Sequence, residues 1–359
     1  MTTSASPKGT DPMAAEPVEG IDIGPVTAWF EANVDGVVPP LDFTLIAGGR
    51  SNLTFAVADA DGHRYALRRP PISHVLPTAH DMAREHRVMS ALGPTAVPVP
   101  ATFGLCTDVA VTGSPFYVME LVDGHILRDT ATVEQVLDMA GRWHAGLSLA
   151  DTLAALHDVD VDAVGLGDFA RHDGYIDRQL RRWIGQFRGS VVPGEELPDV
   201  VESVHDRLAA SVPPQQGTAI VHGDYRLDNV VLGDDGSVRA VLDWEICTLG
   251  DPLADLGLLL VYWTDPGDEA ALAGVTPTAV PGFPSRQEIA DRYAAGSGRD
   301  IGTLDFYVAF GYWKLACILQ GVYARYAGGA AAGDRTSVDT FATSATTLAE
   351  RASAVLDGR

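Results

Sequence analysis

Apolar and polar positions alternate in short runs between residues 40 and 122, which is the pattern of half-buried strands. Two of these runs, "FAVAD" and "RYALR", meet at the turn sequence "DADGH" and predict a β-hairpin. The region predicts four or five strands and one main helix over residues 78–92, with a shorter helix before them in "GPVTAWFEANV". Together these elements predict a small antiparallel α+β lobe.

From about Glu134 onward apolar positions recur every three or four residues, which predicts amphipathic helices. These helices are predicted in "TVEQVLDMAGRWHAGLSLADTLAALHDV" and "YIDRQLRRWIGQFRG" and at residues 252–263, 285–295, 303–326 and 337–355. Three short β segments, "AIVHGD", "NVVLG" and "VRAVLDWE", interrupt the helical half. Residues 264–284, rich in Gly, Pro and Asp, predict a loop long enough to cover a cleft.

The chain is therefore predicted to have a disordered tail over residues 1–20, a first lobe over 21–122 and a second lobe over 123–359. A length of 359 residues suits two such lobes. The tail lacks the apolar segment of a signal peptide, and the three cysteines are far apart with no CxxC pair. A cytoplasmic location is therefore expected.

Charge and hydropathy exclude some classes of partner. The formal net charge of −23 argues against nucleic acid or an anionic membrane surface. The longest apolar run, "LGLLLVYW", is far shorter than a membrane span. Because acidic residues are spread along the whole chain, general surface acidity is favoured over a site for a cationic substrate.

The stretch "VHGDYRLDNVVL" (residues 221–232) places polar groups between two strand-like runs. Asp224 is able to accept a proton from a hydroxyl, and Asn229, five positions later, offers an amide oxygen to a hard cation. The turn "DDGS" predicts a hairpin that brings Asn229 close to Asp243. Each residue alone is more typical of a turn cap, so the inference depends on the ordered set.

That ordered set is the kinase pattern of a catalytic loop followed by a metal-binding Asp. The loop contains Gly223, and residues 241–256 contain the stretches "VLDWE" and "GDPLADL". On these features the sequence resembles the aminoglycoside phosphotransferase and choline kinase family over about residues 40–330. The resemblance implies an α+β, protein-kinase-like bilobal fold, with a small antiparallel β lobe and a larger, mainly helical lobe. "YALR" and "HGDYRLDN" are closest to a subgroup that includes the kinase-like domain fused to acyl-CoA dehydrogenases in animals.

The resemblance implies a role for each loop residue. Asp224 is the catalytic base, Asn229 and Asp243 bind Mg²⁺, and Arg226 stabilises the phosphoryl group in transfer. His222 and Asp255 would brace the loop. For His222 this role is favoured on physical grounds too, because it follows the apolar run "AIV" and needs a partner once buried.

The first lobe is expected to bind ATP. Ser51 and Asn52, in "AGGRSNLTF", are candidates to approach the phosphates. Arg68 stands where kinases carry a Lys, and Glu85 is its predicted ion-pair partner, although a surface position for Glu85 is the alternative. Arg69 replaces Arg68 if the strand register slips by one residue.

The stretch "PFYVMELVDG" is predicted to be the hinge between the lobes. By family analogy, Glu120 C=O and Val122 N–H contact adenine, with Met119 at the back of its pocket.

The predicted activity is transfer of the ATP γ-phosphoryl group, with Mg²⁺, to a hydroxyl of a small molecule.

Two classes of substrate stay open. An aminoglycoside site is expected to show a cluster of acids, whereas a site for a hydroxyacyl-CoA or related metabolite is expected to show basic residues and an apolar slot. For Phe306, Phe310 and Trp313, core packing is favoured over lining such a slot. The alternative is a protein that is not an enzyme: a pseudokinase that binds nucleotide or a partner without turnover. The Arg at position 68, where kinases carry a Lys, is the reason to consider it. The sequence predicts no oligomeric state.

Overall fold

The structure is a computed structural model that describes residues 18–47, 52–72, 81–265, 268, 276–328 and 335–358. The chain divides into two compact units. The first comprises described residues of Met1–Ala83 and Thr102–Leu121, and the second those of Arg84–Ala101 and Val122–Arg359. The Ser51 prediction and most of the predicted tail lie outside the described residues.

The first unit is built on a five-stranded antiparallel sheet in the order β1-β2-β3-β5-β4. Its strands are β1 Asp42–Ala47, β2 Leu53–Ala58, β3 Arg64–Arg69, β4 Thr102–Cys106 and β5 Phe116–Glu120. The predicted hairpin is confirmed, because β2 and β3 pair with Phe55 opposite Leu67 and Val57 opposite Tyr65. These four side chains are buried, as alternation along both strands requires.

Helix α1, Ile23–Asn33, covers the hydrophobic core of the first unit. Its Phe30 is fully buried and meets Phe43 and Tyr65 edge-on, at ring-centroid distances of 6.4 and 5.8 Å. Trp29 meets Phe116 of β5 edge-on at 4.9 Å. Such aromatic pairs add to the free energy of burial, so α1 and the sheet form one core.

The second unit is mainly helical. Its helices are α2 Met82–Leu92 (from Arg84 onward), α3 Thr130–Val136, α4 Met139–His157, α5 Tyr175–Arg188, α6 Asp199–Ala210, α7 Leu253–Tyr262, α8 Arg286–Ser297, α9 Leu304–Ala327 and α10 Arg335–Leu356. Arg84 joins α2 to this unit by donating to the carbonyls of Phe169 and Cys247, at 3.2 and 3.0 Å. The helices predicted from the apolar period are all present, and α6 was not predicted.

Four short strands lie among these helices. β6, Ala219–Val221, pairs antiparallel with β9, Thr248–Gly250, and β7, Val230–Leu232, pairs antiparallel with β8, Val238–Val241. The second pair is the predicted hairpin. β9 was not predicted, because it pairs with a segment that is distant in sequence.

Helices α7 and α9 pack unusually closely at Gly257. A Cβ there would lie 2.5 Å from the backbone of Tyr307, so only glycine permits this approach. Along α9, Phe306, Phe310 and Trp313 are all buried, and the Trp313 indole donates to Val201 C=O at 2.9 Å, which confirms core packing. Among the helices described, none is long and apolar enough to cross a membrane.

Candidate active site

Asp255, in the first turn of α7, holds the backbone of the predicted catalytic loop. Its two carboxylate oxygens accept the backbone N–H groups of His222 and Gly223, at 2.6 and 2.8 Å. Asp255 is 1% exposed, and a buried carboxylate is stable only when hydrogen-bonded or paired. These two bonds fix the backbone immediately before Asp224.

A buried His extends this network. His157 Nε2 lies 3.4 Å from Asp255 Oδ2, and its Nδ1 lies 2.8 Å from the Tyr293 hydroxyl. Burial lowers the pKa of His157, which keeps the imidazole neutral. Burial alone would raise the pKa of Asp255, but the hydrogen bonds from His157 and from the Gly223 N–H help to lower it overall, so Asp255 stays ionised.

Leu242 connects the catalytic loop to the segment that carries Asp243. Its backbone C=O accepts from Nε2 of His222 at 2.8 Å, and its backbone N–H donates to Asn229 C=O, also at 2.8 Å. Because Nε2 of His222 donates, Nδ1 is the acceptor, and it receives the Asp224 N–H at 3.3 Å. His222 is fully buried, and both of its ring nitrogens hydrogen-bond to backbone groups.

Asn229 is bonded directly to Asp224. Its side-chain nitrogen donates to the Asp224 backbone C=O at 2.8 Å and to Asp224 Oδ2 at 2.9 Å. Within the described chain, its amide oxygen makes no hydrogen bond. Asp243 follows Leu242 with φ of 65°, a left-handed conformation that Asp tolerates better than most residues. The structure thus brings together Asp224, Asn229 and the start of the Asp243 segment.

Arg226 lies among acidic and aromatic side chains. Its Nε is 2.9 Å from Asp228 Oδ1 and 3.4 Å from Asp224 Oδ2, and its guanidinium carbon lies 4.8 Å from the Tyr262 ring centroid. Burial lowers the pKa of Arg226, but the nearby carboxylates, Asp224 first, raise it overall, so the side chain stays charged. Its contact with a phosphoryl group remains a prediction.

Asp224 lines a cavity of about 420 Å³ in the second unit. Tyr262, at the end of α7, and Trp183, on α5, also line it. Among its described lining residues, Asp224 is the one carboxylate, and the cationic ones are Arg182, Lys314 and Arg325. These cations were not predicted from the sequence. The signal available was lysine usage, because the chain has only two lysines, Lys8 and Lys314.

In the first unit, the predicted nucleotide-binding residues lie on β2, β3 and β5 or next to them. Asn52 is buried just before β2, and Arg68 on β3 is half-buried, opposite Thr54 and Tyr117. Arg69, the alternative to Arg68, is buried and binds the carbonyls of Gly20 and Thr112. Arg69 is therefore committed to the packing of its own unit.

The remaining predicted residues lie at the end of β5 and on α2. Met119 is buried and Glu120 exposed in the last two positions of β5, and Val122 is half-buried just after it. Glu85 is 1% exposed, which rules out the alternative of a surface position. Its pairing with Arg68 remains a prediction.

The comparison with known families agrees with this geometry. The sequence profile of the phosphotransferase enzyme family matches residues 42–289. The chain belongs to this family. Within it, a Ralstonia eutropha protein assigned as an aminoglycoside phosphotransferase is 32% identical, and the match has a TM-score of 0.76 and covers 92% of this chain and 97% of that one.

More distant structures share the fold of this chain. Choline kinase from Cryptosporidium parvum matches at 12% identity with a TM-score of 0.62, covering 93% of this chain and 95% of that one. The aminoglycoside phosphotransferase APH(2'')-Ib, solved with ADP bound, matches at 14% identity with a TM-score of 0.58, over 92% and 99% of the two chains. The predicted α+β, kinase-like fold is therefore confirmed.

Curated relatives of this chain are named as acyl-CoA dehydrogenase family members. Mouse acyl-CoA dehydrogenase family member 10 is 36% identical over 290 residues, which are 80% of this chain and 27% of the relative. Human acyl-CoA dehydrogenase family member 11 is 33% identical over 297 residues, or 82% of this chain and 37% of the relative. The chain thus spans between about a quarter and two-fifths of these relatives, in agreement with the predicted subgroup.

Proposed function

We propose that the protein transfers the γ-phosphoryl group of ATP to a hydroxyl of a small-molecule metabolite. The observation that carries this proposal is the position of Asp224, which lines the cavity and binds the side chain of Asn229. A carboxylate that is open to a cavity, yet fixed by a rigid loop, suits a general base. The ADP bound to the fold relative APH(2'')-Ib supports the choice of nucleotide.

In the proposed reaction, Asp224 orients the acceptor hydroxyl and takes its proton. The hydroxyl oxygen forms a bond to the γ-phosphorus while the bond from that phosphorus to the β,γ-bridging oxygen breaks, and ADP leaves. The bonds from Asn229 and from the Asp255-held backbone keep the Asp224 carboxylate in place. Positioning of this kind supplies much of the catalysis in phosphoryl transfer.

The donor set fits Mg²⁺. Asn229 uses its amide nitrogen on Asp224, which leaves its amide oxygen to act as a ligand, and Asp243 offers a carboxylate next to Leu242. Two protein oxygens suit Mg²⁺, which keeps waters and phosphate oxygens as its other ligands. No group of three or more acidic, His or Cys side chains suited to a metal occurs among the described residues, so a site made only of protein side chains is not proposed. When bound, the ion would neutralise phosphate charge.

Other residues take the roles that the family pattern gives them. In this proposal Arg68, supported by Glu85, holds the α- and β-phosphates, and Asn52 and Ser51 approach the phosphates through their loop. Glu120 C=O and Val122 N–H contact adenine next to Met119. Arg226 neutralises charge in the transition state, close to Asp224. The cytoplasmic location stays a prediction.

The cavity favours a metabolite over an aminoglycoside. An aminoglycoside is polycationic and needs several acids, whereas the described lining has one carboxylate and three cations. Apolar lining side chains such as Leu258, Leu315 and Ile318 offer a surface for a hydrocarbon portion. These are the features expected for a hydroxylated, acidic metabolite such as a hydroxyacyl-CoA.

A panel assay tests the proposed function. ADP release with Mg²⁺ is measured for hydroxylated carboxylates and phosphates, hydroxyacyl-CoAs, neutral polyols and aminoglycosides, with product phosphorylation verified by mass spectrometry. We expect turnover with an acidic metabolite. Calorimetric binding of ATP with Mg²⁺ but no hydrolysis and no transfer to any compound would instead identify a pseudokinase.

A further inference from the structure

Lys314 is a buried cation on α9 that touches the catalytic loop. It is 7% exposed, and its Nζ donates to the backbone C=O of Gly223, the residue before Asp224, at 2.9 Å. The chain holds 25 basic residues and only two are lysines, so arginine is its ordinary cation. A lysine at a buried position beside the catalytic loop therefore stands out from the other cations of the chain.

The ammonium group of Lys314 is only partly satisfied by the protein. It carries three N–H donors, and in the described chain its hydrogen bond is the one to Gly223 C=O. No described carboxylate lies within the 4.0 Å of an ion pair. Burial lowers the pKa of Lys314, although the charges of Asp224 and Asp255 act against this effect. A buried cation with spare donors favours an anionic ligand.

A second cation faces the same region. The Arg182 guanidinium lies 5.0 Å from the Trp183 ring centroid, and Lys314 Nζ lies 5.8 Å from it. The charge of Arg182 also lowers the pKa of Lys314, which means that the two cations repel each other. All three side chains line the cavity. An oxyanion bound there would relieve this repulsion, in a chain whose formal net charge is −23.

We propose that Lys314, together with Arg182, binds an oxyanion of the acceptor and so determines the specificity of the cavity. The bonded oxyanion is a carboxylate or a phosphate group. Because Lys314 holds the carbonyl one residue before Asp224, it fixes the negative group of the acceptor close to the hydroxyl that reacts. That the bound anion belongs to the phosphoryl acceptor rests on the proposed function. The binding of an anion at Lys314 does not, because it is measured without ATP.

The two lysines make a direct spectroscopic test possible. In protein labelled with [13Cε]lysine, the NMR spectrum has two lysine signals, which Lys8→Arg assigns. Inorganic phosphate is titrated without ATP, against chloride at equal ionic strength. We expect a saturable shift of the Lys314 signal and a rise in its apparent pKa, while the Lys8 signal keeps its position. A Lys314 signal that responds to phosphate no more than to chloride overturns the proposal.

Variants test the same claim by calorimetry with inorganic phosphate. Lys314→Met is expected to weaken phosphate binding at least tenfold and Lys314→Arg to retain it in part. Arg292→Met is the matched control, because Arg292 is an exposed cation paired with Asp151 and does not line the cavity. Equal losses for Lys314→Met and Arg292→Met contradict the proposal. If Lys314→Met does not fold, the wild-type titration decides.

The kinetics separate this inference from the proposed function. Binding of phosphate without ADP release for any acceptor leaves the anion site in place and removes the phosphotransferase assignment. Turnover confined to cationic acceptors would support the phosphotransferase assignment and contradict the anion site. With an acidic acceptor, Lys314→Arg is expected to raise KM more than it lowers kcat. A fall in kcat alone, equal for acidic and neutral acceptors, would show that Lys314 only supports the loop.

Discussion

The carboxylate of Asp255 accepts the backbone N–H of Gly223 at 2.8 Å, while the carbonyl of the same glycine accepts from Lys314. Helices α7 and α9 therefore hold the two peptide units on either side of Gly223, the residue that precedes Asp224. Because this glycine has φ of 86°, the backbone turns sharply within the catalytic loop, just before Asp224. The position of Asp224 thus depends on two buried charges that do not themselves react.

Replacing Asp255 tests the importance of this support. Asp255→Ala removes the acceptor of two buried N–H groups, and we expect a loss of about 3 kcal/mol or more in the free energy of unfolding. Asp151→Asn is the control, because it disrupts only the exposed pair with Arg292 and should cost about 1 kcal/mol or less. Urea denaturation measures both. A cost for Asp255→Ala as small as that of Asp151→Asn would contradict this account of the loop.

Gly223→Ala separates local crowding from backbone strain. The new Cβ would lie 3.1 Å from the side chain of Ile246, whereas at Gly217, with a similar φ of 83°, nothing lies within 4 Å. Gly223→Ala and Gly217→Ala should each strain the backbone by about 1–2 kcal/mol. Gly223→Ala should also lower kcat, because it moves Asp224. Melting temperatures and phosphotransfer rates are measured for both variants. A normal kcat in Gly223→Ala would show that the loop tolerates this shift.

Asp59 gives the first unit a defined acid response. Burial raises its pKa, but hydrogen bonds from His63 and Val38 lower it more, to about 2, from 3.8. Because the folded pKa is lowered, the stabilisation is complete above about pH 4 and is lost as the pH falls through about 2. Asp59→Asn should therefore be less stable at neutral pH, and the gap to the wild type should narrow across this window. A difference in melting temperature between the wild type and Asp59→Asn that stays constant from pH 5 to 2 would contradict this role of Asp59.

Much of the fold was predictable because its signals are local. The alternation in "FAVAD" and "RYALR" predicted the pairing of β2 with β3, and "DDGS" predicted the pairing of β7 with β8. β9 escaped prediction, since its pairing with β6 depends on chain segments that only the tertiary fold brings together. The grouping of Arg84–Ala101 with the second unit has the same cause, because Arg84 binds carbonyls distant in sequence.

The candidate site was predictable where its residues follow one another in the chain. Asp224 and Asn229 lie in one motif, and a single hairpin adds Asp243, so their order alone indicated the chemistry. Lys314 and His157 were missed, because Lys314 reaches the loop and His157 reaches Asp255 from helices far away in sequence. On a mainly apolar helix such as α9, a single Lys gives no periodic signal. The sequence therefore does not show whether its side chain is buried in a binding site or exposed to solvent.

The central claim is that Asp224 is the base of a phosphotransfer reaction. Its most direct test is single-turnover transfer of the labelled γ-phosphoryl group of ATP to the acceptor found in the panel, compared between the wild type and Asp224→Asn. Calorimetry shows whether both proteins bind ATP with Mg²⁺ equally. We expect intact ATP binding in Asp224→Asn and a transfer rate lower by about 10²–10⁴-fold. Transfer by Asp224→Asn at the wild-type rate would contradict the account.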